Sequence, residues 1–268
     1  MRKLGINCPM RFKEIDAIGS VSLIRNAGFD SVFSEYVSDE YCGRLADEID
    51  RAGMSYETIH APFGNINSIW RSGEEGDNII KTLKGCLDTC EHYGVPTLIV
   101  HLSSGDDAPC VNDIGHARFD RLVEYAGRVG VKIAFENQRK LANIAFAFEV
   151  YEKCPQVGFC WDTGHEACFA GGREYMPLFG SRLIALHIHD NMMEHNEDLH
   201  LLPFDGMLNF HHIAEQIKKS GYTGTLMLET MHDCSHRYDD LTPQQFFARA
   251  YEAAKRLRVL VDGKDSIK

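Results

Sequence analysis

Eight short apolar runs, separated by longer segments of helical periodicity, recur along this chain, and nothing else in it restricts the fold as much. The runs cover residues 4–8, 31–36, 56–61, 97–102, 131–137, 157–162, 183–188 and 225–230. Between them, segments such as 78–93, 113–128 and 210–219 place apolar residues at helical spacing, and 242–260 reads as a last helix. Continuous apolar strands alternating with helices indicate a parallel sheet covered on both faces. Eight such repeats in 268 residues point to an α/β fold of the closed (β/α)8 TIM barrel type, which typically takes ~250 residues. Gly28, Gly53, Gly94, Gly130 and Gly221 each fall between a helical segment and the next strand, where a left-handed helix C-cap is expected. No linker or change of composition divides residues 1–268, so the expectation is a single domain.

The chemistry emerges at the end of each run. In order, the strands end at Asn7, Glu35, His60, His101, Glu136, Asp162, His187 and Glu229. Barrel active sites are built on that rim. One or two polar strand ends are ordinary, because strand ends are half-exposed. A polar residue ending all eight strands, with His, Asp or Glu ending the last six, is not explained that way.

Among these, Glu136, Asp162, His187 and Glu229 form the candidate metal site. Three carboxylates and one imidazole suit Mn²⁺, Mg²⁺, Co²⁺ or Zn²⁺ and do not resemble a thiolate-type structural zinc. Acids converging on one rim would repel one another and raise each other's pKa, and a divalent ion removes that penalty. Such an ion also polarises a carbonyl or hydroxyl and acidifies the neighbouring C–H, so that Glu136 and Glu229 can remove and return a proton as the catalytic pair. His60, His101, His165, His189 and His200 lie at or just beyond strand ends and are the candidate substrate contacts, with His165 expected in the turn above the metal. A lone histidine is more often a hydrogen-bonded filler than a ligand, which is the reading for His92, His116, His195 and His236.

Composition sets the surroundings. A net charge of -11 disfavours nonspecific attraction to nucleic acid or anionic membrane. The nine cysteines are odd in number and form no Cys-x-x-Cys pair; Cys86, Cys90 and Cys160 read as small buried hydrophobes. No stretch resembles a signal peptide or a membrane span, so a reduced, cytoplasmic setting is expected. Gly171-Gly172-Arg173 reads as a flexible turn, Trp70 and Arg71 as a lid or a structural cap, and Arg139, Lys140, Arg173 and Arg237 as solvated charge.

A family resemblance rests on Ile59-His60-Ala61-Pro62-Phe63, Val100-His101-Leu102, Phe135-Glu136-Asn137, Trp161-Asp162-Thr163-Gly164-His165, Leu186-His187-Ile188-His189-Asp190, the segment from His200 to Gly206, and Leu228-Glu229-Thr230. In order and spacing these resemble the xylose isomerase-like barrels, in particular the sugar phosphate isomerase/epimerase group, from the first strand to the last. In the ketose 3-epimerases of that group, the residues matching Glu136, Asp162, His187 and Glu229 hold the metal. The matches to Glu136 and Glu229 also exchange the proton, and the match to His165 contacts substrate.

The resemblance extends to the zinc-dependent apurinic endonucleases of the same superfamily. The positions of their three-zinc cluster match His60, His101, Glu136, Asp162, His165, His187, Asp198, His200 and Glu229. The expectation is therefore a divalent-metal-dependent isomerase or epimerase acting on a sugar or sugar phosphate, with an endonuclease-like phosphodiesterase as the alternative. The acidic balance and the lack of a basic, aromatic-rich cluster favour the former. Neither nucleic acid nor membrane is expected as a partner, and a homo-oligomer is compatible with the sequence.

Overall fold

The computed structural model describes residues 1–263, so the last five residues of the expected 1–268 domain lie outside the described ones. It is a single-domain TIM barrel of eight parallel strands: β1 (Leu4–Asn7), β2 (Ser31–Glu35), β3 (Ser55–His60), β4 (Thr97–His101), β5 (Lys132–Glu136), β6 (Val157–Asp162), β7 (Leu183–His187) and β8 (Leu226–Leu228). Each strand pairs with its sequence neighbours, and β8 pairs with β1. Between β7 and β8 the barrel closes through one parallel bridge, Ile188 to Leu228. There the Ile188 N–H donates to Met227 O at 2.9 Å and the Glu229 N–H donates to Ile188 O at 3.0 Å. The eighth strand is shorter than the expected 225–230 because its last part bonds to a side chain. The Thr230 N–H donates to Asn7 Oδ1 at 2.9 Å rather than to a ladder carbonyl.

Register determines which side chains share a level. Glu35 pairs with His60, His101 with Glu136, and Asp162 with His187. Partners across a parallel ladder face the same side, so all six point into the barrel. Two residues below them, Ile99, Ala134, Cys160 and Ala185 form a small apolar plug, separate from the main core. The alternate residues, among them Val100, Phe135, Phe159, Trp161 and Leu186, face outward and pack into the core beneath the helices. One period-2 alternation therefore supplies both the apolar helix-facing layer and the polar floor.

The helices are α1 (Ala17–Ala27), α2 (Asp39–Arg51), α3 (Glu74–His92), α4 (Asp113–Val129), α5 (Leu141–Val150), α6 (Thr163–Phe169), α7 (Met176–Phe179), α8 (Phe210–Ser220) and α9 (Pro243–Asp262). The five expected C-cap glycines all have positive φ, from 65° at Gly53 to 115° at Gly28. Among the described residues no helix is long and apolar enough to cross a membrane. All nine cysteines are free, and Cys86, Cys90 and Cys160 are buried.

Two local features differ from expectation, and a third decides between two expected roles. A two-stranded antiparallel hairpin, Arg11–Phe12 with Ile15–Asp16, follows β1. His165 lies in α6 rather than in a turn, because the Asp162 side chain caps that helix by accepting the His165 N–H at 2.6 Å. Trp70 is no lid. It ends a 3-10 helix (Ile66–Trp70), is buried, and donates from Nε1 to Leu102 O at 2.7 Å. Its ring lies against α4 where a side chain at Gly115 would stand 2.0 Å from Trp70 Cε3.

The loop carrying Trp70 hangs on one buried guanidinium. Arg118 of α4 donates to the carbonyls of Ile69 (2.9 Å), Arg71 (2.5 Å) and Gly73 (2.6 Å) and pairs with Asp77 at 3.0 Å. Arg118→Met leaves those carbonyls without their donor and should cost about 2–4 kcal/mol. In thermal unfolding that is a fall in midpoint of roughly 5–15 °C. An unchanged midpoint would show that the loop does not depend on this residue.

Candidate metal centre

Glu136 is the centre of the polar floor. Its Oε2 lies 2.5 Å from His101 Nε2 and 3.2 Å from His60 Nε2, and its Oε1 lies 2.6 Å from His187 Nδ1. His187 Nδ1 also stands 3.2 Å from Glu229 Oε2. Glu136, Asp162, His187 and Glu229 are all buried, and each offers a ligand atom such that the four atoms lie within 4.8 Å of one another. His187 stacks on Phe33 with ring centroids 4.5 Å apart, which fixes its plane.

These contacts fit a bound cation better than a closed hydrogen-bond network. A ring nitrogen carries at most one hydrogen. Yet His101 Nε2 meets Glu136 Oε2, His60 Nε2 at 3.2 Å and Gln138 Nε2 at 3.1 Å. Glu229 Oε2 is buried with no hydrogen-bond partner, as is His187 Nε2. Three buried carboxylates with so few donors are costly unless a cation joins them.

Charge in the cluster is held on both partners. Burial would push the Glu136 carboxyl upward, but the His187 and His101 rings outweigh it and hold the group well below the usual carboxylate range. Glu229 is lowered in the same way, burial being overcome by His187 and then by His200. Burial opposes a charge on His60, and Glu35 and Glu136 overcome it, raising the ring to about 9. For His101 burial wins despite Glu136, and the ring falls to about 4. Protons on His60 and His187 thus balance the carboxylates, and a divalent ion binding to the same atoms would displace protons, because such ligands bind metal deprotonated.

A second group lies across the cavity. Asp198 Oδ2 is 3.1 Å from both His165 Nε2 and His200 Nε2. Burial disfavours charge on both rings, yet His165 is raised to about 10, chiefly by Asp162, and His200 to about 9, chiefly by Asp198. The loop that presents Asp198 and His200 carries four non-glycine residues at positive φ: Met193 (61°), Asn196 (65°), His200 (43°) and Phe204 (75°). Backbone strain of this kind clusters where a loop must hold side chains in place. Glu136 and Glu229 of the first group and His165, Asp198 and His200 of the second border a cavity of about 350 Å³, with Asp162 and His187 behind its wall.

The profile of the xylose isomerase-like TIM barrel family matches residues 21–259. The chain belongs to that family. It is 30% identical to the uncharacterized protein y4fM of Sinorhizobium fredii, over 90% of this chain and 88% of that one. It is similar in fold to D-psicose 3-epimerase from Clostridium cellulolyticum H10, with a TM-score of 0.77 at 14% identity over 97% of this chain and 99% of the other. A 3-keto-D-glucoside 4-epimerase from E. coli superposes with a TM-score of 0.73 at 17% identity, over 97% of this chain and all of that one.

In this xylose isomerase-like barrel, His60, His101, His165 and His200 border the cavity as expected from their positions, and His189 does not. The His189 ring is fully buried behind Asp162, with its Nε2 donating to Asp162 Oδ1 at 3.0 Å and its face stacked on His200, centroids 4.0 Å apart. It sets the orientation of a ligand-type carboxylate instead of meeting the cavity. Other residues had no place in the sequence reading of the site. The Gln138 amide lies 3.1 Å from His101 Nε2 and 3.0 Å from His165 Nδ1 through its Nε2, linking the two groups. Its signal was its parity with Glu136, two residues earlier, but the expected strand stopped at 137. Arg139, expected as solvated charge, instead lies 3.6 Å over the Phe169 ring, with its Nε 3.0 Å from Asp106 Oδ1. Phe63 stacks on His101 at 4.3 Å and is 40% exposed at the mouth.

Gly164 holds His189 in its place. A side chain there would stand 1.9 Å from His189 Cε1, so the ring packs on bare backbone. Gly164→Ala should swing His189 away from Asp162 and weaken divalent-cation binding, measured by calorimetric titration, by about 10–100-fold. Circular dichroism should stay unchanged. Unaltered affinity would mean that His189 does not position the centre.

Proposed function

We propose that this chain is a divalent-metal-dependent isomerase or epimerase that moves a proton at carbon in a ketose-type sugar, with Glu136 and Glu229 as the acid/base pair. The observation that carries the reading is the convergence of these two carboxylates on one ring nitrogen, 2.6 and 3.2 Å from His187 Nδ1, on the floor of one cavity. Removing a proton from one face of a carbon and returning it to the other requires two such groups. Both are held in the ionised range at neutral pH, the form that accepts a proton. The similarity in fold to proteins named as sugar epimerases supports the same class of substrate.

Held by Glu136, Asp162, His187 and Glu229, a divalent ion (Mn²⁺, Zn²⁺, Co²⁺ or Mg²⁺) supplies a Lewis acid that polarises a sugar carbonyl and acidifies the adjacent C–H. The protein's residues do the rest. Glu136 and Glu229 take and return the proton. His60 and His101 on one side, and His165 and His200 on the other, orient hydroxyls, while His189 fixes Asp162. Gln138 ties the two histidine groups together, and Phe63 covers His101 at the mouth and limits access of water.

A second reading has one specific observation in its favour. Three of the candidate ligand groups, His60–His101–Glu136, Glu136–Asp162–His187–Glu229 and His165–Asp198–His200, together span the cavity, with Glu136 shared by the first two. That arrangement suits three ions and a phosphodiester. Against it stand the net charge of -11 and a rim arginine, Arg139, already engaged by Asp106 and Asn196.

Turnover of ketoses in heavy water separates these readings. A proton held on a carboxylate exchanges with solvent before it returns, so the epimerase places deuterium on carbon in the product. Glu136→Gln and Glu229→Gln should each abolish epimerisation, with single-face exchange surviving in at most one of them. Turnover without solvent deuterium would contradict the proton-transfer roles. Cleavage of an abasic duplex by zinc-loaded protein, lost in His101→Ala, would establish the phosphodiesterase instead.

A further inference from the structure

We propose that the substrate is an uncharged sugar carrying a second hydroxylated unit, and that this unit occupies a side lobe of the cleft between the loops after β1 and β8; the inference rests on the sugar isomerase or epimerase reading above. The lobe is a separate cavity of about 230 Å³. It shares Glu35, Glu229 and Met231 with the main cavity, so the two meet at the catalytic carboxylate. At about 350 Å³ the main cavity lies near the lower end of the ~300–1,000 Å³ usual for small-molecule sites. The side lobe is several times the ~30 Å³ that one water occupies in the liquid, too large to serve only as a water inlet.

Its lining states the chemistry of the guest. Met10, Met231 and Pro9 offer apolar surface, and Glu35, Glu229 and Asp233 stand around it. Apolar surface accepts the C–H face of a sugar ring, while carboxylates accept hydrogen bonds from its hydroxyls. A phosphate would meet three carboxylates and gain little in return. The one arginine of the lobe, Arg11, is exposed, donates from Nε to Lys13 O at 2.8 Å and has Glu14 3.8 Å from its Nη2. His232 is turned onto the Phe12 ring, with centroids 3.8 Å apart. On the main-cavity side, Arg139 is held by Asp106. Neither cavity holds a buried guanidinium that could pair with a dianion, since Arg11 is exposed and Arg139 is already paired. Glu35 therefore acquires a role as the residue at the junction, where it accepts hydroxyls from either unit, 3.7 Å from His60 Nδ1.

Unreactive polyols test this independently of turnover. Calorimetry on the metal-loaded protein would compare sorbitol, sorbitol 6-phosphate and two disaccharide alditols of different linkage, maltitol and cellobiitol. At least one disaccharide alditol should bind about tenfold tighter than sorbitol, and sorbitol 6-phosphate no tighter than sorbitol. Met10 is 48% exposed at the edge of the lobe, so Met10→Trp narrows it without touching the core. In that variant the ratio of disaccharide to sorbitol affinity should fall about tenfold. Sorbitol or its phosphate binding as tightly as both disaccharide alditols, an unchanged ratio in Met10→Trp, or no binding of either disaccharide alditol at millimolar concentration would overturn the proposal. The isomerase reading is judged separately by solvent deuterium, so two-unit binding without any proton exchange would overturn that reading and leave the lobe assigned.

Discussion

A single buried carboxylate, Glu136, lies between three imidazoles, and the rest of the site is organised about it. One oxygen faces His60 and His101, the other faces His187. A carboxylate at 1% exposure is costly unless positive charge surrounds it. His60 and His187 supply that charge as protons, and a divalent ion would supply it more compactly. The neighbouring carboxylates, Asp162 and Glu229, are tied in through rings of their own: His189 on Asp162, and His187 and His200 beside Glu229. His187 meets both Glu136 and Glu229, and His200 stands beside both Glu229 and Asp198, so the cluster is a unit and not a set of separate pairs.

The barrel delivers this cluster by register. In a parallel ladder, paired residues face the same side, and the stagger between strands raises successive strand ends in a helical staircase around the axis. Glu35 with His60, His101 with Glu136, and Asp162 with His187 are successive steps, and Glu229 follows one residue past the bridge that closes the barrel. The plug of Ile99, Ala134, Cys160 and Ala185 beneath them is made of modest side chains, which leaves the polar level room to converge on the axis. Loop chemistry then adds what strands cannot reach. Asp198 and His200 come from a strained loop, and Arg139 joins segments that follow different strands through Asp106, Phe169 and Asn196.

That division explains what the sequence made legible. Strand interiors alternate with period 2 and helices with period 3.6, so the eight runs, the C-cap glycines and the strand-terminal residues could be read directly. His60, His101, Glu136, Asp162 and His187 each end their strands in the structure. What followed each strand could not be read so well, because there the chain leaves any fixed period. His189 shares parity with His187 on paper, yet after β7 the chain turns and its ring goes behind Asp162. His165 reads as a turn residue because the helix starts directly where the strand ends, at Thr163 after Asp162, and so short a helix leaves no periodic trace; only the capping bond to Asp162 reveals α6. Glu35 stood at a strand end in the sequence, but its place between two cavities depends on the loops after β1 and β8, which meet only in three dimensions.

The central claim is that the buried cluster is a divalent-cation centre. Counting metal per chain by elemental analysis, on protein purified without chelator and supplied with Mn²⁺, Co²⁺, Zn²⁺ and Mg²⁺ in separate preparations, tests it most directly. The account predicts that at least one of these ions is retained at one per chain after extensive dialysis, with three per chain reached only if His165, Asp198 and His200 also bind. Protein that retains none of the four ions would contradict it, and the convergence on Glu136 would then be a network held by imidazole protons alone.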